Sequence, residues 1–304
     1  MKTITFLTLL LTASVSFAEF KVGNSVYATS GPRAYTEGRI LEIDSNGMFT
    51  LKFIADDAVG GNWGPNDIAS VKGCSADLCV GSTVYPISEG RAGTSAIVVG
   101  IESNGNYILE FNSDLAVGGG WGRGSLAAAR GCVEGLCVGK TVVATNGERA
   151  WTSAVIIAID PSGLFTLKFT ADDAVGSGWG RASLAATEGC IEDLCVGETV
   201  LPTEVTRIGT LSTVIAVESS GTYVLKFEED QAVGGNWGRS ILAKGTGCSG
   251  SGICIGQSVT ATSGGRVGTT ATILGFDPNE KYILKFDSDG AVGAGWAQND
   301  FTLN

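Results

Sequence analysis

A nine-residue segment that begins with Asp and contains Ala-Val-Gly and Trp occurs five times in this chain. The copies are Asp56–Gly64, Asp114–Gly122, Asp172–Gly180, Asp230–Gly238 and Asp289–Ala297. The spacing between the Trp residues is regular, because 121 − 63, 179 − 121 and 237 − 179 each give 58 and 296 − 237 gives 59. A fixed period of this size indicates one small structural unit repeated along the chain.

The segment before the repeats has the features of a secretory signal peptide, residues 1–18. Lys2 lies near its start, an apolar stretch follows, and Ser16 and Ala18 place small residues before an expected cleavage site. The stretch is too short to span a membrane. We therefore expect an exported protein, periplasmic or extracellular, without insertion into a membrane. The expected repeats are 20–76, 78–134, 136–192, 194–251 and 253–304.

The charge and the residue types exclude several classes of function. The chain has 20 Lys and Arg against 31 Asp and Glu, a net charge of −11, which disfavours binding to nucleic acid or anionic lipid. It contains no His, which removes the commonest general base and nitrogen ligand of zinc. The acidic turns lack the spacing of a calcium-binding loop. We expect no nucleic-acid partner, no cofactor, no metal ion and no enzymatic activity.

The eight cysteines form four close pairs, one at each junction between repeats. The pairs are Cys74–Cys79, Cys132–Cys137, Cys190–Cys195 and Cys248–Cys254. Units of this size are at the lower limit for a single hydrophobic core, so additional covalent fastening is expected. Four local disulfides account for every cysteine. Metal binding by two distant pairs is the alternative, but it requires reduced thiols, which export disfavours.

The first repeat predicts a series of short strands. Alternating apolar residues predict strands at 21–28 and 36–43, and 44–47 has the composition of a hairpin turn. In the third strand Phe49, Leu51 and Phe53 share one face, and Thr50 and Lys52 share the other, which we expect to be solvated. A turn carries the Trp, and a short helical turn or a last strand around residue 68 ends the repeat.

The residue before each Trp is always Asn or Gly: Asn62, Gly120, Gly178, Asn236 and Gly295. These two residue types tolerate a left-handed backbone, so a positive φ is expected at this position in every repeat.

These segments resemble the small SH3-like barrels of the Tudor and agenet type. The opening Gly23-Asn24-Ser25-Val26, the strand Ala96-Ile97-Val98, the strand Gly221 to Phe227 and Trp237 carry the resemblance. It implies an all-β chain of five tandem barrels in a linear array. A five-bladed β-propeller of the lectin kind is the alternative. A ring requires the first and last blades to meet, whereas the cysteine pairs stop short of both ends, so the linear array is favoured.

Three residue types recur in every repeat and are the candidate ligand-binding residues. They are Trp63, Trp121, Trp179, Trp237 and Trp296; Arg33, Arg91, Arg149, Arg207 and Arg266; and Asp56, Asp114, Asp172, Asp230 and Asp289. In one interpretation Arg and Asp form an ion pair and Trp caps the barrel, which is a structural role. In the other, Trp is a stacking surface and Arg and Asp anchor a sugar or peptide.

The resemblance to Tudor domains also implies an aromatic cage for a methylated cation. Tyr27, Tyr35 and Trp63 are candidates in the first repeat, and Trp151 with Trp179 in the third. The other repeats lack this set, since they have Gly93, Gly209 and Gly268 at the position of Tyr35.

The sequence therefore supports three hypotheses for function. The first is a multivalent, non-catalytic protein that binds a repetitive cell-surface or cell-wall glycan or peptide, where weak sites gain by avidity. The second is a structural spacer or adhesin-like stalk of barrels stiffened by disulfides. An enzyme of unrecognised type is the third, and five small equivalent units offer no cleft with facing carboxylates.

Overall fold

The computed structural model describes residues 20–204 and 207–304, so the expected signal peptide lies outside the described residues. The described part consists of β-strands, short 3-10 turns and loops, with no α-helix in it, and the all-β prediction is confirmed. The chain divides into two compact parts. One comprises residues up to Val138 with Ile157–Leu167 and Val175–Gly178, and the other comprises Gly139–Ile156, Lys168–Ala174 and Trp179–Asn304.

The first repeat shows the strand arrangement that recurs along the chain. Its strands are Ser25–Ala28, Glu37–Ile43, Phe49–Phe53, Val59–Trp63 and Ile68–Ser70. The first strand pairs antiparallel with both the second and the last. The second pairs with the third, and the third with the fourth. The order across the sheet is therefore fourth, third, second, first, last.

Repeats two, four and five have the same pairings, and the first strand of repeat three also pairs with its second and last strands. The strands of repeat two are Thr83–Pro86, Ala96–Ile101, Tyr107–Phe111, Val117–Trp121 and Leu126–Ala128. Those of repeat three are Thr141–Ala144, Ser153–Ile159, Phe165–Phe169, Val175–Trp179 and Leu184–Ala186. Those of repeat four are Thr199–Pro202, Ser212–Glu218, Tyr223–Phe227, Val233–Trp237 and Leu242–Lys244. Those of repeat five are Ser258–Ala261, Thr270–Phe276, Tyr282–Phe286, Val292–Trp296 and Phe301–Leu303.

Short 3-10 turns occur in the loop after the first strand and before the last strand. The former are Gly31–Arg33, Glu89–Arg91 and Gly264–Arg266, and the latter are Arg123–Ser125, Arg181–Ser183, Arg239–Ile241 and Gln298–Asp300. The sequence predicts either a helical turn or a strand at the end of a repeat. Repeats two to five have both, a 3-10 turn followed by a strand. The Trp lies at the end of the fourth strand and not in a turn, because the residues before it pair with the third strand.

The first strand is also shorter than predicted. Residues 21–24 form a turn in which the Asn24 N–H bonds to the Lys21 carbonyl and the Lys21 N–H to the Asn24 side chain. The alternation in 21–24 therefore belongs to the turn that leads into the strand.

The cysteine pairs are bonded as predicted. Each disulfide closes a small antiparallel hairpin between two repeats, with the two cysteines directly opposite one another. The hairpin strands are Cys74–Ser75 with Leu78–Cys79, Cys132–Val133 with Leu136–Cys137, and Cys190–Ile191 with Leu194–Cys195. The fourth pair has a sequence separation of 6 where the others have 5, and this extra residue explains the single spacing of 59.

Each core consists of the alternating residues of the third strand and their neighbours. In repeat one Phe49, Leu51 and Phe53 are buried together with Val26 and Ile68, as the alternation predicts. Repeats two, four and five bury the equivalent residues.

The opposite face of the third strand is solvated only in part, which corrects the sequence-based expectation. The Lys positions are exposed or half-buried, but Ile108, Val224 and Ile283, which correspond to Thr50, are fully buried. They pack on the first and last strands of the preceding repeat, for example Ile108 on Tyr27 and Ala69. Their apolar character was the signal in the sequence that this face is covered.

Backbone pairing also joins consecutive repeats. The last strand of one repeat forms an antiparallel bridge to the second strand of the next at Ser70↔Ile101, Ala128↔Ile159, Ala186↔Val217 and Lys244↔Phe276. The repeats are therefore not independent domains on linkers.

The first and fifth repeats carry polar residues at positions that form these contacts elsewhere. Glu42 and Thr50 stand where repeat two has Gly100 and Ile108. Thr260 and Thr302 stand where repeat four has Leu201 and Ala243. Glu42 and Thr302 are exposed, and Thr50 and Thr260 are half-buried.

Candidate functional site

The recurrent Arg and Asp form an ion pair in every repeat. Arg lies in the loop after the first strand and Asp in the loop between the third and fourth strands, so the pair joins the two loops. The Nη–Oδ distances are 2.7 Å for Arg33–Asp56, 2.9 Å for Arg91–Asp114, and 2.8 Å for Arg149–Asp172, Arg207–Asp230 and Arg266–Asp289. The Arg side chains are 30–36% exposed and the Asp side chains 46–50%.

The local backbone holds each Asp carboxylate in place. One oxygen accepts the Arg N–H, and the other accepts the backbone N–H two residues on, as Asp172 does from Ala174 at 3.1 Å. The residue between them has a positive φ, 56° at Asp173. This is an Asx turn, and it holds the carboxylate in the orientation in which Arg binds it.

A Phe ring supports both the Arg and the Trp. The Arg guanidinium lies over the last Phe of the third strand at 4.3–4.9 Å from the ring centroid in all five repeats. The Trp meets the same Phe edge to face, with centroids 5.4–5.8 Å apart. Cation–π and edge-to-face contacts are both attractive. Arg, Asp, Phe and Trp therefore form one cluster, the Arg–Asp–Trp cluster, repeated five times.

The Trp is positioned by the glycines of its own strand. The residue before it has a positive φ in every repeat, from 63° at Asn236 to 86° at Gly295, as predicted. A methyl group on Gly60 would lie 3.4 Å from Nε1 of Trp63, and one on Gly293 would lie 3.1 Å from Nε1 of Trp296. The indole N–H is turned towards this glycine, and Nε1 of Trp63 is buried without a hydrogen-bond partner.

The ion pairs shift the pKa of the carboxyl groups. The pKa of Asp56, Asp172 and Asp230 lies below the ordinary value, chiefly because Arg donates a hydrogen bond to the carboxylate. The pKa of Asp114 and Asp289 is also lowered, first by the backbone N–H of the Asx turn and then by Arg. Both causes stabilise the charged form, so the carboxylates are ionised at neutral pH.

The residues of the expected cage are not brought together. Tyr27 and Tyr35 pack against the second repeat, in the same apolar cluster as Ile108 and Val117, whereas Trp63 packs on the core of its own repeat. Trp151 packs against the fourth repeat beside Val224 and Val233. Tyr27, Tyr35 and Trp151 therefore join consecutive repeats to one another.

Two further Arg–Asp ion pairs among the described residues were not found from the sequence. Arg123 binds the carboxylate of Asp77 through Nε at 2.5 Å and Nη2 at 2.9 Å, and Arg239 binds Asp193 in the same way at 2.6 Å and 3.0 Å. Each pair fastens a disulfide hairpin to the repeat that follows it. The sequence contains a signal for these pairs. Each Arg lies two residues after the Trp of a repeat whose preceding disulfide hairpin contains Asp, and both members of the pair recur after the same interval, because 193 − 77 and 239 − 123 both give 116.

No family model matches this chain, and no curated protein matches its sequence. None of the described helical turns is long and apolar enough to cross a membrane.

Proposed function

We propose that this chain is an exported, non-catalytic protein that binds a repetitive cell-surface or cell-wall polymer, a glycan or a peptide, through its five Arg–Asp–Trp clusters. The observation that carries the proposal is the identical, partly exposed Arg–Asp pair in all five repeats. A polymer with a matching repeat engages several weak sites at once, and the second contact is then effectively intramolecular.

The strand order supports the finer assignment of each unit as an SH3-like barrel of the Tudor and agenet type. Five antiparallel strands in the order fourth, third, second, first, last, with a 3-10 turn before the last strand, agree with that topology. The polar residues on the first and fifth repeats support an open, linear array rather than a closed ring. Small-angle scattering tests the array, because a compact chain of this length has a radius of gyration of about 19 Å and a linear one exceeds it clearly.

Four disulfides and a sequence without free cysteine support export, because such bonds persist in oxidising compartments. Sequencing the N-terminus of the protein recovered from the medium and the periplasm tests it. Cleavage after Ala18 agrees with the proposal, and an intact N-terminus in the cytoplasm contradicts it.

Binding is tested by titrating the full chain with peptidoglycan fragments and cell-wall glycans of increasing length, followed by calorimetry and Trp fluorescence. Asp→Asn at Asp56, Asp114, Asp172, Asp230 and Asp289 removes the charge and keeps a side-chain acceptor for the Asx turn. We expect affinity for long polymers to fall stepwise with the number of substituted repeats. Asp57→Asn with Asp173→Asn, one residue further on, is the matched control. Equal affinity of all variants contradicts the proposal.

A structural spacer is the second candidate, and one observation favours it. The indole packs on Phe, its N–H faces a glycine, and Arg lies over the same Phe, so the cluster also holds its own repeat together. The two candidates differ in the outcome for Trp179→Phe: a spacer loses thermal stability and shows no binding before or after the change, whereas a binding protein loses affinity.

A further inference from the structure

One surface groove occurs twice, at the junctions between repeats two and three and between repeats four and five. The first is lined by Asp77, Arg123, Arg130, Cys132 and Asp160, among others. The second is lined at equivalent positions by Asp193, Arg239, Thr246, Cys248 and Asp277. Four of these correspondences are separated by 116 residues, and the fifth by 117, which includes the extra residue of the fourth hairpin. Each groove has a volume of about 420 Å³.

One wall of each groove is the ion pair that fastens the disulfide hairpin. Arg123 gives Nε and Nη2 to Asp77, and its Nη1 to the Leu126 carbonyl at 2.5 Å; Arg239 does the same with Asp193 and Leu242. Three of five N–H groups are thus used in each guanidinium. The remaining N–H groups and the spare lone pairs of the carboxylate form a rigid, paired set of donors and acceptors.

A second cation borders each ion pair. Arg130 donates to the Asp77 carbonyl in the first groove, and Lys244 contacts the Asp193 carboxylate at 3.1 Å in the second. The side chain of Arg239 is only 8% exposed. The ion-pair wall of the second groove is therefore built into the fold and does not depend on a mobile surface residue.

The other wall is the turn between the second and third strands of the following repeat. It consists of an apolar residue, Ile159 or Phe276, followed by Asp-Pro. Asp160 uses one oxygen to accept the N–H groups of Ser162 and Leu164, at 2.8 and 2.9 Å, and Asp277 does so with Asn279 and Lys281. The Pro ring and the apolar side chain give this wall a non-polar surface.

The two intervening junctions lack this combination. Between repeats one and two, Pro65 replaces the Arg; between repeats three and four, Gly135 replaces the Asp. The turns between the second and third strands of repeats two and four have Ser103 and Ser219 in place of Pro161 and Pro278. The Asp, the Arg and the Asp-Pro therefore occur together at the junctions of these two grooves and not at the other two junctions.

The charges of the grooves determine which ligand both can take. In the first, Arg123 and Arg130 balance Asp77 and Asp160. In the second, Arg239 and Lys244 stand against Asp193, Glu198, Asp277 and Glu280. An anion is repelled by the second groove, and a cation finds no excess negative charge in the first. Both grooves have hydrogen-bond donors and acceptors, fixed by the ion pair, in one wall and an apolar surface in the other.

We propose that these two grooves bind a neutral, hydroxyl-rich ligand, an oligosaccharide, with two equivalents per chain. Hydroxyl groups both donate to the carboxylate and accept from the guanidinium, and the C–H face of a sugar ring packs on Pro161 or Pro278. The volume lies within the range of small-molecule sites in proteins. This site is separate from the Arg–Asp–Trp clusters and does not depend on their proposed role.

The test is calorimetric titration of the full chain with chitohexaose, cellohexaose, maltohexaose and mannohexaose. Pro161→Trp and Pro278→Trp each fill one groove from an exposed hairpin position. Ser219→Trp is the matched control, since it places the same ring at the equivalent exposed position of repeat four, at a junction where Gly135 replaces the Asp. Circular dichroism and melting curves of the three variants exclude unfolding.

We expect at least one of these saccharides to bind with a stoichiometry of two. It falls to one in either Pro variant, to zero in the double variant, and stays at two in Ser219→Trp. Three results overturn the proposal: no binding of any of the four at millimolar concentration, a stoichiometry of five, or binding unchanged in the double variant. A stoichiometry of five that is lost in the Asp→Asn variants supports the Arg–Asp–Trp clusters instead, so the two proposals fail separately.

Discussion

Trp151 lies against the α-carbon of Gly235 in the following repeat, so closely that a methyl group at position 235 would stand 2.3 Å from the indole ring. Tyr35 and Gly119 have the same relation, at 2.2 Å. Both aromatics have a left-handed backbone, with φ of 66° and 62°. Such a conformation costs a bulky residue about 1–3 kcal/mol, and burial against the next repeat offsets that cost.

The other two junctions reverse this relation. Gly93 and Gly209 replace the aromatic and face Val175 and Val292 of the next repeat. There the position of Gly235 holds Ser177 or Ala294. An aromatic residue thus meets a glycine of the next repeat at the junctions between repeats one and two and between repeats three and four. At the junctions between repeats two and three and between repeats four and five, a glycine meets a valine of the next repeat. The junctions consequently alternate between two types, and junctions of the same type lie two repeats apart along the chain.

Gly235→Ala is expected to destabilise the protein, because the new methyl group collides with the ring of Trp151. Overpacking of this kind costs about 1–3 kcal/mol. Urea denaturation of the full chain measures the loss in the free energy of unfolding. Gly61→Ala is the matched control, because the same position in repeat one has only the Thr50 hydroxyl nearby, at 3.7 Å.

The double variant Trp151→Gly with Gly235→Ala tests the same packing from the other side. It recreates the natural pair of Gly209 with Ala294, so we expect the double variant to lose less stability than the sum of the losses in Gly235→Ala and Trp151→Gly, with a coupling energy of about 1–3 kcal/mol. Equal effects at Gly61 and Gly235, or strictly additive effects in the double variant, would contradict the contact.

The sequence predicted those features that depend on one repeat alone. The alternation of Phe49, Leu51 and Phe53 identified the core, and the Asn or Gly before each Trp identified the positive φ, because both follow from local geometry. The cysteine pairing followed from their place at the junctions. Burial of Ile108 and Val224 was missed because strand periodicity shows that two faces exist, not what covers them.

The candidate site was predicted in part for the same reason. The pairing of Arg149 with Asp172 followed from their recurrence in all repeats, and the structure confirms it. The roles of Tyr35 and Trp151 were not predicted, because their partners, Gly119 and Gly235, lie in another repeat and carry no side chain. Only the three-dimensional contact shows that a glycine is there to receive a ring.

Acid is expected to destabilise the protein through the five Arg–Asp pairs. The pKa of these Asp residues is lower in the folded chain than its ordinary value of 3.8, so their contribution is complete above that value and is lost as the pH falls through the folded-state pKa. Melting temperatures measured from pH 7 to pH 2 should therefore be steady down to about pH 4 and then decline.

Variants from both sides of one pair check this cause. Asp172→Asn and Arg149→Gln should each make the decline below pH 4 shallower, because each removes the interaction that lowers the pKa. If neither variant changes the pH dependence, the Arg149–Asp172 pair does not contribute to the acid sensitivity.

Loss of one disulfide is expected to cost about 2 kcal/mol, since each closes a short loop in the unfolded chain. The variant Cys132→Ala with Cys137→Ala, compared with the native chain in urea, measures this value. Removing the pairs at 74/79 and 248/254 together should cost about twice as much, because distant sites contribute additively. Peptides that link Cys79 to Cys132 under non-reducing conditions would contradict the pairing.

The Tyr that opens the third strand in repeats two, four and five is hydrogen-bonded to the disulfide hairpin before it. The Tyr223 hydroxyl donates to the Ile191 carbonyl at 2.6 Å, and Tyr107 donates to the Ser75 carbonyl. Repeat three has Phe165 at this position, so its hairpin, Cys132–Cys137, lacks the bond.

Tyr223→Phe should therefore cost about 1 kcal/mol, because it leaves a carbonyl of the hairpin without its donor. Hydrogen exchange should become faster in the Cys190–Cys195 hairpin of this variant. The Cys132–Cys137 hairpin of the same molecule is the internal control, because Phe165 is unchanged, and its exchange rate should stay constant. Faster exchange in both hairpins would mean that the substitution loosens the whole chain, and no change in either would mean that the hydroxyl does not fasten the hairpin.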